Sequence, residues 1–499
     1  MESRSLKLDV LVRVGRTLFS LLMGIASIAA VAGEPSYDEL SLRTQAMEKL
    51  KLAQCEVQKL ELPSQDDLAR ASRENIEVVI SVPFDGHRYE LVLRPHSLRA
   101  ANFRLLVQRA DGIHEETPLV PATWRGYIRG ETGSTVIALV SREGITASVR
   151  DSAGQRWSMQ PLSRSVSAAP VVFHVIYHAQ DASPSPLGCG EGLSAGSVAP
   201  HSPLPSPLDG PGPGGSASTF YFARIAFDAD VDYYNSMGTV EDTVNSIEGL
   251  LNEVDNIYAR DVQIGYQLVT IMVRTTDPEP YTSSDAPTLL GQLRSEWNDN
   301  HADIGRDVTH LVTGKAIYKD GSQIAGISFG PYTTNPLGVI CNDPLDAYSL
   351  TSDNILADTH DRRVNLMAHE LGHNWGAYHC DDPIIGDGCT DMNGLVGIMA
   401  STAPPYASSF GDQSKSQIIT HRNTLNSCLS IGWIYVDWAA VSPFWGTEEH
   451  PLRTVLEGVA EVPAGGQVLL SHGNYNEKIG ISKSLRLRTV TGSAKIGAP

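Results

Sequence analysis

His369-Glu370-Leu371-Gly372-His373-Asn374-Trp375-Gly376-Ala377-Tyr378-His379 is the stretch on which the reading of the whole chain turns. Two histidines four residues apart stand on one face of a helix, so His369 and His373 can bind one zinc ion, with Glu370 beside them as a general base. A zinc site that performs hydrolysis takes three protein ligands and leaves one position for water. Two histidines on one turn are one ligand short, and His379 is placed to supply it. It can do so only if the helix stops and the chain turns back, and Gly376, free to take positive φ, sits where that reversal is needed. With 15 His among 499 residues, a match at these fixed positions by composition alone has a chance of about one in ten thousand.

Written as a pattern, the stretch is H-E-x-x-H-x-x-G-x-x-H, the extended metzincin form, which also requires a methionine turn to floor the zinc site. Gly397-Ile398-Met399-Ala400 follows His379 at the expected interval, and Met399 is the candidate. Alone, a Met in an apolar tetrapeptide is plain core; its place after the zinc pattern is what makes it the turn. On these residues the chain resembles the reprolysin or adamalysin branch of the metzincins, which includes snake-venom metalloproteases and the disintegrin-and-metalloprotease sheddases. Asn374 after His373 is typical of that branch, whose pattern usually has Phe where this chain has Trp375. The branch also has Asp directly after the third His, whereas here Cys380 takes that place and Asp381 and Asp382 follow.

The resemblance implies a zinc endopeptidase acting on protein or peptide substrates, with one catalytic Zn2+ on His369, His373 and His379 and Glu370 as general base. It implies an α/β catalytic domain with a mixed sheet above the zinc helix. Gly326-Ile327-Ser328-Phe329 reads as an edge strand, which metzincins use to pair with an extended substrate by β-strand addition. From the residues alone, a plain surface strand fits as well. Connectivity of the six cysteines cannot be deduced from sequence. Cys380 with Cys389 would close a short loop after the third ligand, Cys341 with Cys428 would staple the last helix of the domain, and this pairing resembles the family's.

The chain is long enough for about three domains, each with a proper core. Hydrophobic content of 41% and charged content of 19% are those of a globular protein, and a net charge of -19 argues against nucleic acid or an anionic membrane as partner. Lys7, Arg13 and Arg16 precede an apolar run from Leu18 to Val31 that ends in small residues, a signal peptide over residues 1–32. The expected location is therefore extracellular, secreted or surface-associated. An uncleaved anchor is the alternative, but the run is short for a span, and no later stretch approaches the ~18 apolar residues needed to cross a bilayer.

Residues 35–192 begin polar and helix-prone and then become rich in alternating strands, such as Val78–Val82 and Tyr89–Arg94 around Asp85-Gly86. We expect an all-β unit that resembles the propeptide of the family, so that the chain carries its own inhibitor. Cys189, between Gly188 and Gly190, could then occupy the fourth zinc position and exclude water; a disulfide with Cys55 is the equal alternative. Residues 193–218, dense in Pro, Gly and Ser, read as a linker. The zinc domain spans 219–431, with strand and helix alternating and Thr239 capping a long helix. Asp228, Asp230 and Asp232 alternate along an extended segment that follows its first strand, Phe220 to Phe227, where hard oxygens can bind Ca2+ or form a solvated face. Residues 433–499 show short, closely spaced strands resembling the first coil of a parallel β-helix of the pectin-lyase kind. The rival function is a surface binding or adhesion protein in which a silent zinc domain serves that solenoid. Glu370 separates the two, because inactive relatives commonly lose the base.

Overall fold

The computed structural model describes residues 38–167, 169–183, 187–190, 220–331, 337–355, 359–382, 389–390, 396–440, 451–462, 466–490 and 492–497. The expected signal peptide and the 193–218 linker lie outside them. From Glu39 onward the chain forms one compact unit. No helix among the described residues is long and apolar enough to cross a membrane.

The N-terminal region opens with α1 (Glu39–Leu50), β1 (Glu56–Lys59) and α2 (Gln65–Glu74), so it is not all-β as expected. α1 buries Leu42, Ala46 and Leu50, one residue per turn on a single face. α2 starts because the Ser64 side chain accepts the Asp67 N–H, and it stops at Asn75, which is left-handed. Both helices fall where the region opens polar and helix-prone, and a narrow apolar stripe is enough to dock each of them. β2 (Val78–Phe84) and β3 (His87–Pro95) form the hairpin expected over Asp85-Gly86, whose φ values are 50° and 71°. Next comes a second hairpin, β4 (Arg99–Arg109) and β5 (Gly112–Glu116), which leaves this sheet altogether. β6 (Thr123–Ile128), β7 (Thr135–Ser141), β8 (Gly144–Arg150), β9 (Arg156–Pro161) and β10 (Phe173–His178) complete an antiparallel sheet in the order β1-β10-β9-β8-β7-β6-β3-β2. Trp124 and Trp157 are buried in its core with Val82, Leu91 and Ile145.

The central region is built from β11 (Tyr221–Ala229), α3 (Val231–Met237), α4 (Val240–Val262), β12 (Ile264–Arg274), α5 (Ala286–Asn300) and β13 (Val308–Thr313). It continues through β14 (Ile317–Lys319), β15 (Ser322–Ile324), β16 (Gly326–Ser328), β17 (Tyr348–Ser352), α6 (His360–Asn374), α7 (Asp412–Thr424) and β18 (Ser430–Ile431). Its sheet runs β16-β17-β13-β11-β12-β4-β5, so the N-terminal hairpin is part of it. From β17 to β4 the strands are parallel, and β13 and β17 are buried along their whole length, as strands covered on both faces are. α4 and α6 cover one face, where Ile247, Leu251, Met367 and Leu371 meet Ile225 and Phe227. α5 covers the other, with Leu289, Leu293 and Trp297 against Ala226, Leu311 and Leu350. α4 begins as expected, with the Thr239 side chain accepting the Asp242 N–H at 3.1 Å.

Asp228, Asp230 and Asp232 do not make the calcium site considered above. Asp228 accepts hydrogen bonds from Arg274, from the Tyr281 hydroxyl at 2.6 Å and from Trp297 Nε1 at 2.9 Å. Asp230 caps α3, and Lys315 Nζ lies 3.3 Å from Asp230, 2.7 Å from Asp232 and 2.7 Å from Glu279. A cation of the chain itself stands where a metal would have to stand.

Residues 433–497 form β19 (Trp433–Val436), α8 (Val455–Glu461), β20 (Gln467–Leu470), β21 (Gly473–Tyr475), β22 (Arg486–Thr489) and β23 (Ala494–Ile496). β19, β20 and β22 stack in parallel, as do β21 and β23, around Val436, Val455, Val468, Leu470 and Tyr475. The unforeseen helix α8 is set by a capping box between Thr454 and Glu457.

Candidate metal centre and active site

α6 starts at Thr359, presents Val364, Met367, Ala368 and Leu371 to the core, and carries His369, Glu370 and His373. It ends at Trp375, and Gly376 takes φ +91° so that the chain reverses. A side chain at 376 would meet the Gly338 backbone nitrogen at 2.8 Å, so the position needs glycine for space as well as for φ. The reversal brings His379 back over the helix. The Nε2 atoms of the three histidines are then 3.1, 3.1 and 3.2 Å apart.

That convergence fits zinc. His369 Nδ1 donates to the Ile398 carbonyl at 2.8 Å and His373 Nδ1 to the Ala377 carbonyl at 2.7 Å, which leaves the Nε2 of each ring as its lone-pair nitrogen. Lone pairs facing one another at this distance repel unless a cation sits among them. Tetrahedral ligands at a Zn–N distance of about 2.0–2.1 Å lie about 3.3 Å apart, close to the spacing found. Burial, and then the neighbouring His379, hold the His369 pKa down at about 3, so its imidazole is in the neutral form a metal requires.

Glu370 is fully buried next to this trio. Burial pushes its pKa up to about 8; Cys189 and Ser328 lie close enough to favour the charged form but make no hydrogen bond of ordinary geometry to either oxygen, so burial wins. A buried acid with two unpartnered oxygens is expensive for a fold to keep and is the signature of a group used in proton transfer. Gly326 makes room for it: a Cβ there would lie 2.5 Å from Glu370 Oε1.

Met399 is buried beneath the helix, and a Cβ at Gly372 would touch its sulfur at 2.5 Å. The Met399 carbonyl accepts the Cys380 N–H at 3.0 Å, joining this turn to the third-ligand segment. Disulfides link Cys341 to Cys428 and Cys380 to Cys389. Neither Cys55 nor Cys189 is disulfide-bonded, so the alternative bridge between them is not formed. Cys189 lies at the zinc site, where its sulfur, a His369 nitrogen and a Glu370 oxygen are within 4.8 Å of one another. Its segment is held along the edge strand: Ala325 N–H donates to the Gly188 carbonyl at 2.9 Å, Gly190 N–H to the Gly326 carbonyl at 2.8 Å, and Cys189 N–H to the Ser401 carbonyl at 2.8 Å. β16, Gly326–Ser328, is the outermost strand of its sheet, and Phe329 continues from it with its N–H on the Tyr348 carbonyl.

Sequence reasoning missed several supporting residues. Asn374 donates to the carbonyls of Phe329 at 2.9 Å and Tyr348 at 3.0 Å, tying the end of the zinc helix to the edge strands. Asp381, one place later than the family's Asp, accepts from Ser401 N–H at 3.0 Å and from its hydroxyl at 2.6 Å, which secures the floor of the site. Arg362, one turn before Leu366 on α6, donates to the Leu187 carbonyl at 3.0 Å. The departure at Cys380 was the available signal for Asp381; nothing local announces Arg362.

A family model described as Reprolysin_5, Metallo-peptidase family M12, matches residues 222–411. Among solved structures the chain is similar to metalloproteinase-II from Bacteroides fragilis, at 10% identity and a TM-score of 0.39, over 71% of this chain and 95% of that one. The matched residues hold the three histidines, Glu370 and Met399, and over them the chain matches the reprolysin-like metallo-peptidases of family M12, which supports a zinc-dependent peptidase.

Proposed function

We propose that the protein is a secreted endopeptidase made as a latent precursor, with residues 35–192 as propeptide and inhibitor. The observation that carries the catalytic reading is the convergence of the three Nε2 atoms beside a buried carboxyl group whose oxygens are otherwise unused. When bound to His369, His373 and His379, zinc supplies Lewis acidity toward the scissile carbonyl and makes the attacking water easier to deprotonate. Glu370 takes the proton from that water and delivers it to the leaving amine. The edge of β16 offers backbone groups to an extended peptide, as it does to Gly188 and Gly190.

Latency is supported by the same contacts. Residues Leu187–Gly190 lie where a substrate strand would pair, and the Cys189 sulfur is close enough to the His369 ring to take the fourth ligand position on the metal. Among the described residues, none from 433 to 497 belongs to this site, and residues 433–499 are read as ancillary. The test is hydrolysis of a mixed peptide library by the purified protein, with the 193–218 stretch cut, in the presence and absence of chelator, beside the Glu370→Ala variant. Zinc should stay bound in that variant, because the ligands remain, while hydrolysis drops by about two to four orders of magnitude. Full activity in zinc-loaded Glu370→Ala would sink the mechanism.

A further inference from the structure

The N-terminal region meets the peptidase region through two surfaces of different character. One is ionic. Arg99 pairs with Glu248, Arg125 with Asp255 at 2.7 Å, Arg142 with Asp242, and Arg156 with Asp361 at 3.3 Å, all on α4 or α6. All four carboxylates are buried by the contact, so the desolvation cost of bringing them together offsets much of the attraction, and salt, by screening the charges exposed on parting, lowers the net contribution further.

The other surface is the β4–β5 hairpin, which is not laid on the peptidase but built into its sheet. β4 pairs in parallel with β12 from Arg99 opposite Leu268 to Gln108 opposite Arg274. Leu268 N–H donates to the Leu98 carbonyl at 2.8 Å and Thr275 N–H to the Gln108 carbonyl at 3.2 Å. The side chains of β4 enter both cores of the peptidase: Leu105 and Val107 join the cluster under α4 and α6, and Leu106 joins the one under α5. The Gln108 side chain accepts from Arg274 at 2.8 Å and donates to the Thr276 and Pro278 carbonyls. Every residue of β12 except Gln267 is buried. Withdrawing the hairpin would turn that strand into a long apolar edge with unpaired backbone groups, the kind of edge that aggregates.

We infer that the N-terminal region is a permanent, non-covalent subunit of the peptidase, held by this hairpin, and that a cut within 193–218 leaves a two-chain protein and releases nothing. The inference concerns association through the hairpin alone and not the Leu187–Gly190 segment at the cleft, which a cut within 193–218 leaves as the end of the retained fragment, able to leave the cleft while β4 stays in the sheet; it therefore stands or falls independently of whether the cut protein cleaves peptides. The experiment places a recognition site for a sequence-specific protease within 193–218 of the full chain, cuts it, and resolves the product by size exclusion at low and at high salt. The expected result is a single peak holding both fragments under both conditions, with the β12 amides as protected from hydrogen exchange after the cut as before it. Separation into two folded species overturns the inference. Separation at high salt only also overturns it, because it assigns the association to the ion pairs. A Leu106→Arg change should separate the cut fragments; if that chain does not fold, loss of β12 protection in the cut wild-type protein would be the refuting result.

Discussion

His174, on β10, should make the N-terminal sheet sensitive to mild acid. The ring is fully buried; Nδ1 donates to the Val172 carbonyl at 3.2 Å and Nε2 accepts the Ile145 N–H at 2.9 Å. Only a neutral imidazole protonated at Nδ1 satisfies both partners, since a proton on Nε2 would face the Ile145 N–H donor. Burial, against a small opposing contribution from the Val172 carbonyl, lowers the pKa from 6.5 to about 4. Between those values the unfolded chain takes up a proton that the folded chain refuses, so the stability this residue secures is complete above pH 6.5 and is lost as the pH falls toward 4. The slope is about 1.4 kcal/mol per pH unit, or about 3.4 kcal/mol across the window. His174→Gln keeps an acceptor and a donor but does not titrate. Urea unfolding followed by tryptophan fluorescence, with Trp124 and Trp157 in the core of the same sheet, measures both proteins across the window. Wild type should lose about 2 kcal/mol more than the variant on going from pH ~6.5 to ~5. Equal pH slopes in the two proteins would refute the reasoning.

Three further outcomes concern the metal site. His379→Ala leaves two ligands, so zinc should be lost on dialysis; retention of one zinc per chain at wild-type affinity would mean that another residue completes the set. Gly326→Ala places a Cβ 2.5 Å from Glu370 Oε1 and 2.8 Å from its Cγ, so with zinc content unchanged kcat should fall by about tenfold to a hundredfold through misplacement of the base; an unchanged kcat would show that the carboxylate has room to move. Cys189→Ala should be active without any cut if the thiol blocks the metal, and thiol counting on the denatured, chelated precursor should find both Cys55 and Cys189. A mutant that stays latent would mean that Leu187–Gly190 inhibits by filling the cleft and not by ligation.

What could be read in advance was local in sequence. The zinc helix, the glycine reversal at Gly376, the Thr239 cap and the Asp85-Gly86 turn each depend on residues within a few positions, where spacing and φ preference decide the geometry. What could not be read depends on partners far along the chain. Nothing in residues 99–116 says that β4 pairs with β12 across more than 150 positions and not with its neighbours β3 and β6, because alternation marks a strand and not the sheet it joins. Asp228 and Asp230 looked like exposed oxygens until Arg274 and Lys315 folded onto them. α1 and α2 lie in a stretch that reads as helix-prone, but its polar composition does not show which few residues dock them. The supports of the site, Asn374, Asp381 and Arg362, act on carbonyls and amides supplied by other segments, which no side-chain pattern displays.

The chain enters and leaves its peptidase region at one spot. β18 pairs with the first residues of β11, Ile431 opposite Tyr221, and the Gly432 N–H donates to the Phe220 carbonyl at 2.8 Å. A segment whose two ends touch can be excised and grafted between other folded units, or have its ends joined and new ones opened elsewhere, without stretching its host. Here such a transplant of 220–432 would travel incomplete, because the strand that closes its sheet beside β12 is encoded more than a hundred residues upstream. A portable version of this peptidase has to carry residues 99–116 with it, in the same chain or as a second one.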